Sequence, residues 1–227
     1  MPLNKSQNAV RFLEGLATKT YRNAMFGNPD AIKNDRVRGI LNSVHSQISA
    51  SVDVQHKLDK DVSRHEVDKH YRGRQEAETL NGALANARDQ LFAEADRLEG
   101  DATASIDAAF KLDPSRAIFQ SRKLDWVEKQ WNDPAHGSAK ISEQIKKDPE
   151  LGALIINGDP YVIGISEEAR FNFASAAVKA HLPEAYTGIE TAKQIRDIAS
   201  KYDDGMKSVR SSFYLESIAE KMATRVE

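Results

Sequence analysis

Pro29 and Pro114 are consecutive prolines, so 84 residues pass without one. Glycine is the only other helix breaker in that stretch, and between Gly39 and Gly73 there are 33 residues with neither. As one helix these 33 residues would span roughly 50 Å at 1.5 Å per residue, longer than most helices in compact domains. A chain built this way is constrained to long helices, which serve as arms, spacers or bundle staves more readily than as the wall of an active site.

The apolar spacing agrees. Val37, Leu41, Val44, Ile48, Ser51, Gln55, Leu58, Val62, His65 and Lys69 follow one another at alternating intervals of four and three, the heptad seam of packed helices. Four of these positions are polar, which predicts a bundle stave with a partly wet seam rather than a self-standing coiled coil. After Gly73 the rhythm resumes through Ala77, Leu80, Leu84, Ala87, Leu91, Glu94 and Leu98, and helical spacing continues to Leu112. Two apolar stripes of matching length need each other, so an antiparallel hairpin turning at Gly73 is favoured. The alternative is a continuous helix, since one internal glycine costs only about 1 kcal/mol.

Before this hairpin a first helix is expected from Ser6 to Phe26, with Val10, Leu13, Ala17 and Tyr21 on one stripe and Gly27-Asn28-Pro29-Asp30 as its stop. After it, Asp113-Pro114-Ser115 starts a helix with proline at its first position. That helix runs to Trp131 and carries Ile118, Phe119, Leu124, Trp126 and Val127. The loop Asn132–Ser138 is the expected boundary between an elongated region, 1–131, and a compact helical module, 138–227. In the module, helices are expected over Ser138–Lys147, from Asp148-Pro149 onward, from a Ser166 cap through Ala180, over Thr191–Tyr202 and over Asp204–Thr224. For 153–165 two readings stand: a β-hairpin turning at Asn157-Gly158, or a helix to Ile156 followed by a turn and an extended segment. The expected class is all-α: an elongated hairpin or coiled-coil-like arm, then a small-helix bundle, with at most one short β-hairpin.

Composition limits the chemistry. Apolar residues are 40% of the chain and charged residues 29%, a balance that suits elongated helices with a large polar surface. The absence of cysteine removes disulfides, thiolate zinc sites and cysteine nucleophiles. No apolar run approaches the roughly 18 residues of a membrane span. No apolar core of a secretory signal is visible between Met1 and Ala24. A cytoplasmic protein is expected, or one exported by a dedicated machine or incorporated in a particle. Residues 1–72 carry 12 basic and 8 acidic side chains, too small and scattered an excess for sequence-independent nucleic-acid binding.

His65 and His70 resemble a metalloprotease box only superficially. That box needs histidines four apart on one helix face; five apart, they diverge by roughly 140°, and two solvated histidines are expected. His56, Asp59, Asp61, Glu66 and Asp68 alternate with Lys57, Lys60, Arg64 and Lys69, the pattern of an exposed ion-paired helix. Neither a glycine-rich phosphate loop nor a G-x-S-x-G elbow occurs. No catalytic residue, metal or cofactor is expected. Trp126 lies seven residues after Phe119, on the same helical face, so core packing is expected, with a partner-contact patch of Trp126, Trp131 and Phe119 as the alternative. Phe171 and Phe173 are two apart, so they face different ways: one core, the other packed on a neighbour.

The segment Ile145-Lys146-Lys147-Asp148-Pro149-Glu150-Leu151-Gly152-Ala153-Leu154, then Gly158, Ala169-Arg170 and an alanine-rich helix, resembles the BID-like domain. That domain ends some conjugative relaxases and effectors exported by type IV secretion systems. The resemblance covers about 50 residues and implies a small helical bundle that acts as a transfer signal through a docking surface, without catalytic residues. Residues 150–227 carry net charge −3, whereas such signals tend to have basic tails, and the Pro149–Gly152 spacing is one residue short. The expected partner contacts are Trp126, Trp131, Asp148, Pro149, Gly152, Leu154 and Arg170. The expected function is a non-enzymatic interaction module for a secretion or conjugative transfer machine. The alternative is a phage or virion scaffolding protein that forms homo-oligomers through residues 31–112.

Overall fold

The computed structural model describes residues 3–223. It is all-α, with no strand among the described residues. The chain forms two compact units, residues 1–95 with 193–227, and residues 96–192. This division is not at the loop 132–138, which lies inside the second unit. No helix among the described residues is long and apolar enough to cross a membrane.

The first unit contains α1 (Gln7–Ala17), α2 (Lys19–Phe26), α3 (Asp35–Lys60), α11 (Tyr202–Phe213) and α12 (Glu216–Ala223). It also holds parts of α4 (Glu66–Ala109) and α10 (Pro183–Ala199), which continue into the second unit. The expected first helix is broken at Thr18. Its hydroxyl accepts from the Tyr21 N–H and donates to the Gly15 carbonyl, ending α1 and capping α2. The Tyr21 ring folds back onto Gly15, where a Cβ would sit 2.9 Å from it.

α3 and α4 form an antiparallel hairpin, as their cross-contacts show. Asn34 meets Glu94, Ser51 meets Glu76, and Lys69 meets the Asp59 carbonyl. The turn is at Asp61–His65, not Gly73. Asp61 accepts from the Ser63 N–H at 2.9 Å, the Ser63 hydroxyl at 2.5 Å and Arg64 Nε at 2.9 Å, a side-chain-built turn. Val62, counted in the seam, is therefore 98% exposed. Gly73 lies within α4, where a Cβ would be 2.9 Å from the Phe213 carbonyl oxygen. The glycine serves close approach, not a turn.

The middle of the seam is dry where a partly wet one is expected, while at its end His65 is exposed and Lys69 half-buried. Ser51, Gln55 and Glu94 are buried beside Val37, Leu41, Ile48, Leu80, Leu84 and Leu91. His70 is also fully buried, against the expectation of a solvated ring, while His65 is exposed. The His70 Nδ1 accepts the Leu215 N–H at 3.0 Å, at the joint between α11 and α12. That joint interrupts the single helix expected over 204–224; Thr224 itself lies outside the described residues. The buried Tyr202 hydroxyl donates to the Phe26 carbonyl at 3.0 Å, and its ring meets Phe26 edge-on.

The second unit comprises the end of α4, α5 (Ala117–Trp131), α6 (Gly137–Ile145), α7 (Pro149–Asn157), α8 (Pro160–Ile163), α9 (Glu167–His181) and the start of α10. Its core gathers Phe110, Val127, Ile141, Ile145, Leu151, Ile155, Phe173 and Ala177. Asp113-Pro114-Ser115 opens a short 3-10 turn, Pro114–Arg116, that leads into α5. Segment 153–165 holds neither hairpin nor extended strand. α7 continues to Asn157, whose side-chain amide donates to the Phe110 and Ala153 carbonyls, both at 2.9 Å. α8 follows, capped by Asp159 and closed by Gly164 at φ 76°. Ser166 caps α9, and α10 begins at Pro183, earlier than the expected Thr191.

Candidate functional site

Val127 is fully buried and defines the core-facing side of α5. At 100° per residue, Phe119 lies about 80° and Trp126 about 100° around the helix from it, so both sit on one flank. On this flank Phe119 is 60% exposed, and Ile118, on the face opposite Val127, is 73% exposed. The expectation that Phe119 packs in the core is corrected accordingly. Trp126 is half-buried and packs against the core cluster, as expected for it.

Between this flank of α5 and the facing parts of α6 and α7 lies a groove of about 480 Å³. Arg116, Phe119, Arg122, Lys123 and Trp126 form one wall, Gln144 and Asp148 the other, and Leu151 the floor. Its size falls within the range of ordinary ligand clefts. Asp148 is placed by local chemistry: as the cap of α7 it accepts the N–H groups of Glu150 at 3.0 Å and Leu151 at 3.1 Å. Lys123 joins the walls, 2.5 Å from Asp148 and 2.7 Å from Glu150, and Arg116 reaches Glu150 at 3.1 Å.

Burial pushes the Asp148 carboxyl up, but the Lys123 ammonium and the two backbone donors outweigh it and hold the group below its usual range. Burial likewise pulls Lys123 down, and is outweighed by hydrogen bonds and attraction from Asp148 and Glu150, which raise it. Asp148, Glu150 and Lys123 thus stay charged and largely neutralise one another. Arg122 is exposed and has no ion-pair partner among the described residues. The groove presents apolar aromatic surface beside one uncommitted guanidinium. Its lining contains no serine, threonine, cysteine or histidine, so it offers no hydroxyl or imidazole for nucleophilic or proton-transfer chemistry.

Of the expected contact residues, the fold brings Trp126 and Asp148 together here. Pro149 follows as the exposed first residue of α7. Gly152 and Leu154 are buried and are not surface contacts; a Cβ at Gly152 would meet Ala177 Cβ at 3.0 Å and Phe110 at 3.3 Å. Trp131 packs edge-on against Phe173, 6.1 Å between centroids, as part of the core. Arg170 donates to the Ile156 carbonyl at 3.3 Å and pairs with Glu167 at 3.6 Å, away from the groove. Sequence reasoning missed Arg116, Arg122, Lys123, Gln144 and Leu151 as lining residues. The available signal was the breadth of the apolar arc on α5, wider than one core face requires, with basic residues at helical spacing within it.

Two other cavities, of about 570 and 620 Å³, lie in the first unit along α4 and α11. About half of their lining residues are charged, with Arg74 paired to Glu78 and Glu216, and Asp203 paired to Arg88. No cluster of three or more histidine or carboxylate side chains suited to a metal ion occurs among the described residues. No family model, curated protein or solved structure matches this chain.

Proposed function

We propose that this protein works by binding other proteins, and that the groove between α5, α6 and α7 is its docking surface. One observation supports this above the rest: the exposed Phe119, the half-buried Trp126 and Arg122, unpaired among the described residues, line one groove beside α5. Aromatic side chains and arginine are the residue types that dominate binding energy at interfaces. The preferred occupant is a peptide segment carrying a large apolar side chain next to a carboxylate. The resemblance of 145–180 to the BID-like domain makes a component of a type IV secretion or conjugative transfer machine the class of partner that fits. Self-association, expected from the sequence through residues 31–112, has a different candidate surface outside that region, the exposed tip of α8.

A displayed-peptide selection against the full chain tests the docking surface, with Phe119→Asp and Arg122→Glu variants as counter-selection. Both residues are solvent-exposed, so the variants keep the fold. Enrichment of apolar–acidic peptides that bind the parent and not the variants is expected. Peptides that bind all three proteins equally would remove the groove from consideration.

A further inference from the structure

The second unit exposes a second apolar feature that its own fold does not use. Tyr161 is 93% exposed and Val162 73%. They sit on α8, a single turn with hydrogen bonds and buried anchors at its ends. Asp159 accepts the Tyr161 N–H at 2.8 Å, Ile163 and Ile165 are buried as anchors, and the Ile165 N–H returns to the Pro160 carbonyl at 3.0 Å. Gly164, at φ 76°, closes the turn. The backbone is thus fixed so that an aromatic and a β-branched side chain point into water together. Exposed Glu168 next to this tip has no ion-pair partner among the described residues, and Glu167 is 78% exposed.

The groove and the tip are complementary: one offers exposed aromatic walls and an uncommitted arginine, the other an apolar knob flanked by carboxylates. They cannot meet within one unit. α8 packs on α5 at Glu128, whose Cγ lies 3.1 Å from where a Cβ of Gly164 would be. At 100° per residue, Phe119 and Trp126 lie about 180° and 200° around α5 from Glu128. Knob and groove therefore occupy opposite flanks of the same helix.

We infer that the occupant of the groove is the α8 tip of a second copy of this chain, with Tyr161 and Val162 against Phe119 and Trp126, and Arg122 facing the Glu167–Glu168 carboxylates. The inference rests on the groove being a protein-binding surface. Because the two halves of the contact lie on different faces, the interface is head-to-tail and can propagate into rings or filaments instead of closing as a two-fold dimer. One knob in one groove is a small interface, so association is weak and concentration-dependent.

The test uses the full chain and two variants at exposed positions, Tyr161→Asp (knob removed) and Phe119→Asp (groove removed), followed by sedimentation velocity across two decades of concentration. The parent mass is expected to climb above 25.2 kDa with concentration, while each variant alone stays at 25.2 kDa. An equimolar mixture of the variants is expected to form a species of twice 25.2 kDa and nothing larger. One partner then supplies the intact knob and the other the intact groove, and the chain stops there. A parent that stays monomeric, variants that still associate alone, or a mixture that stays monomeric would each overturn the inference. A monomeric parent that nonetheless binds apolar–acidic peptides through Phe119 leaves the docking surface standing and removes only the second copy as its occupant.

Discussion

Gln55 offers the sharpest check on how the α3–α4 seam is built. Its side chain is 1% exposed, and neither its amide oxygen nor its amide nitrogen has a hydrogen-bond partner among the described residues. A buried polar group left unsatisfied costs about 1–3 kcal/mol. Methionine has similar length, no branching and comparable helix propensity, so Gln55→Met removes that cost without a cavity. The variant is expected to be more stable by about 1–3 kcal/mol. For a chain of this size each kcal/mol moves the melting temperature by roughly 2–4 °C. Glu94, equally buried in the same seam, is the control. It accepts from the Asn34 amide at 3.1 Å and pairs with Arg36 at 3.3 Å. Glu94→Met abolishes these charge-assisted contacts and is expected to destabilise by about 1.5–3 kcal/mol. Thermal and urea denaturation of the parent and both variants read the two signs directly. A melting temperature for Gln55→Met at or below the parent value would refute the reasoning, because the amide would then be making bonds worth as much as its burial costs.

Three further outcomes are expected. Gly137→Ala places a methyl group on top of the Gln130 carbonyl oxygen and should cost about 1–3 kcal/mol, whereas Gly39→Ala, with open space around it in α3, should stabilise by about 0.5–1 kcal/mol; equal midpoints in urea would contradict the packing. Asp148→Ala loses the α7 cap and the Lys123 pair and should lower stability by about 0.5–2 kcal/mol at neutral pH. Because the folded carboxyl is held below 3.8, this difference is present above that pH and fades as pH falls through the folded value, which denaturation at two pH values measures. Burial, outweighing the pull of Glu66, lowers the His70 pKa from 6.5, and burial likewise lowers His45. Both groups are neutral in the folded chain, so their contribution is complete above pH 6.5 and declines as pH falls toward the folded values, by at most about 1.4 kcal/mol per pH unit for each group. His70→Gln, which keeps an acceptor for the Leu215 N–H, should flatten part of that decline in urea midpoints; an unchanged slope would place His70 in water.

Local chemistry made much of this protein legible in advance. Apolar period and the spacing of prolines mark the helices, and side-chain caps mark several of their starts: Asp113, Asp148 and Ser166 each cap a helical turn where sequence reasoning places a start. These features depend on residues within a turn or two of each other, so the amino-acid order alone determines them. The hairpin turn at Asp61–His65 was equally local, but its Asp-Val-Ser-Arg pattern also suits an exposed ion-paired helix, and Gly73 drew the turn away from it. What lay beyond sequence reasoning was which faces are covered. Gln55, Glu94 and His70 are dry, while Phe119, Tyr161 and Phe171 are wet. Helical period places a residue on a face; it does not say which distant segment will pack there. Residues 193–227 return to join residues 1–95, setting Phe213 and Leu215 against Gly73 and His70. Among the described residues nothing comparable covers Phe119 on α5. The tertiary structure decided both, because burial depends on contacts between segments far apart in the chain, and local propensity carries no information about those contacts.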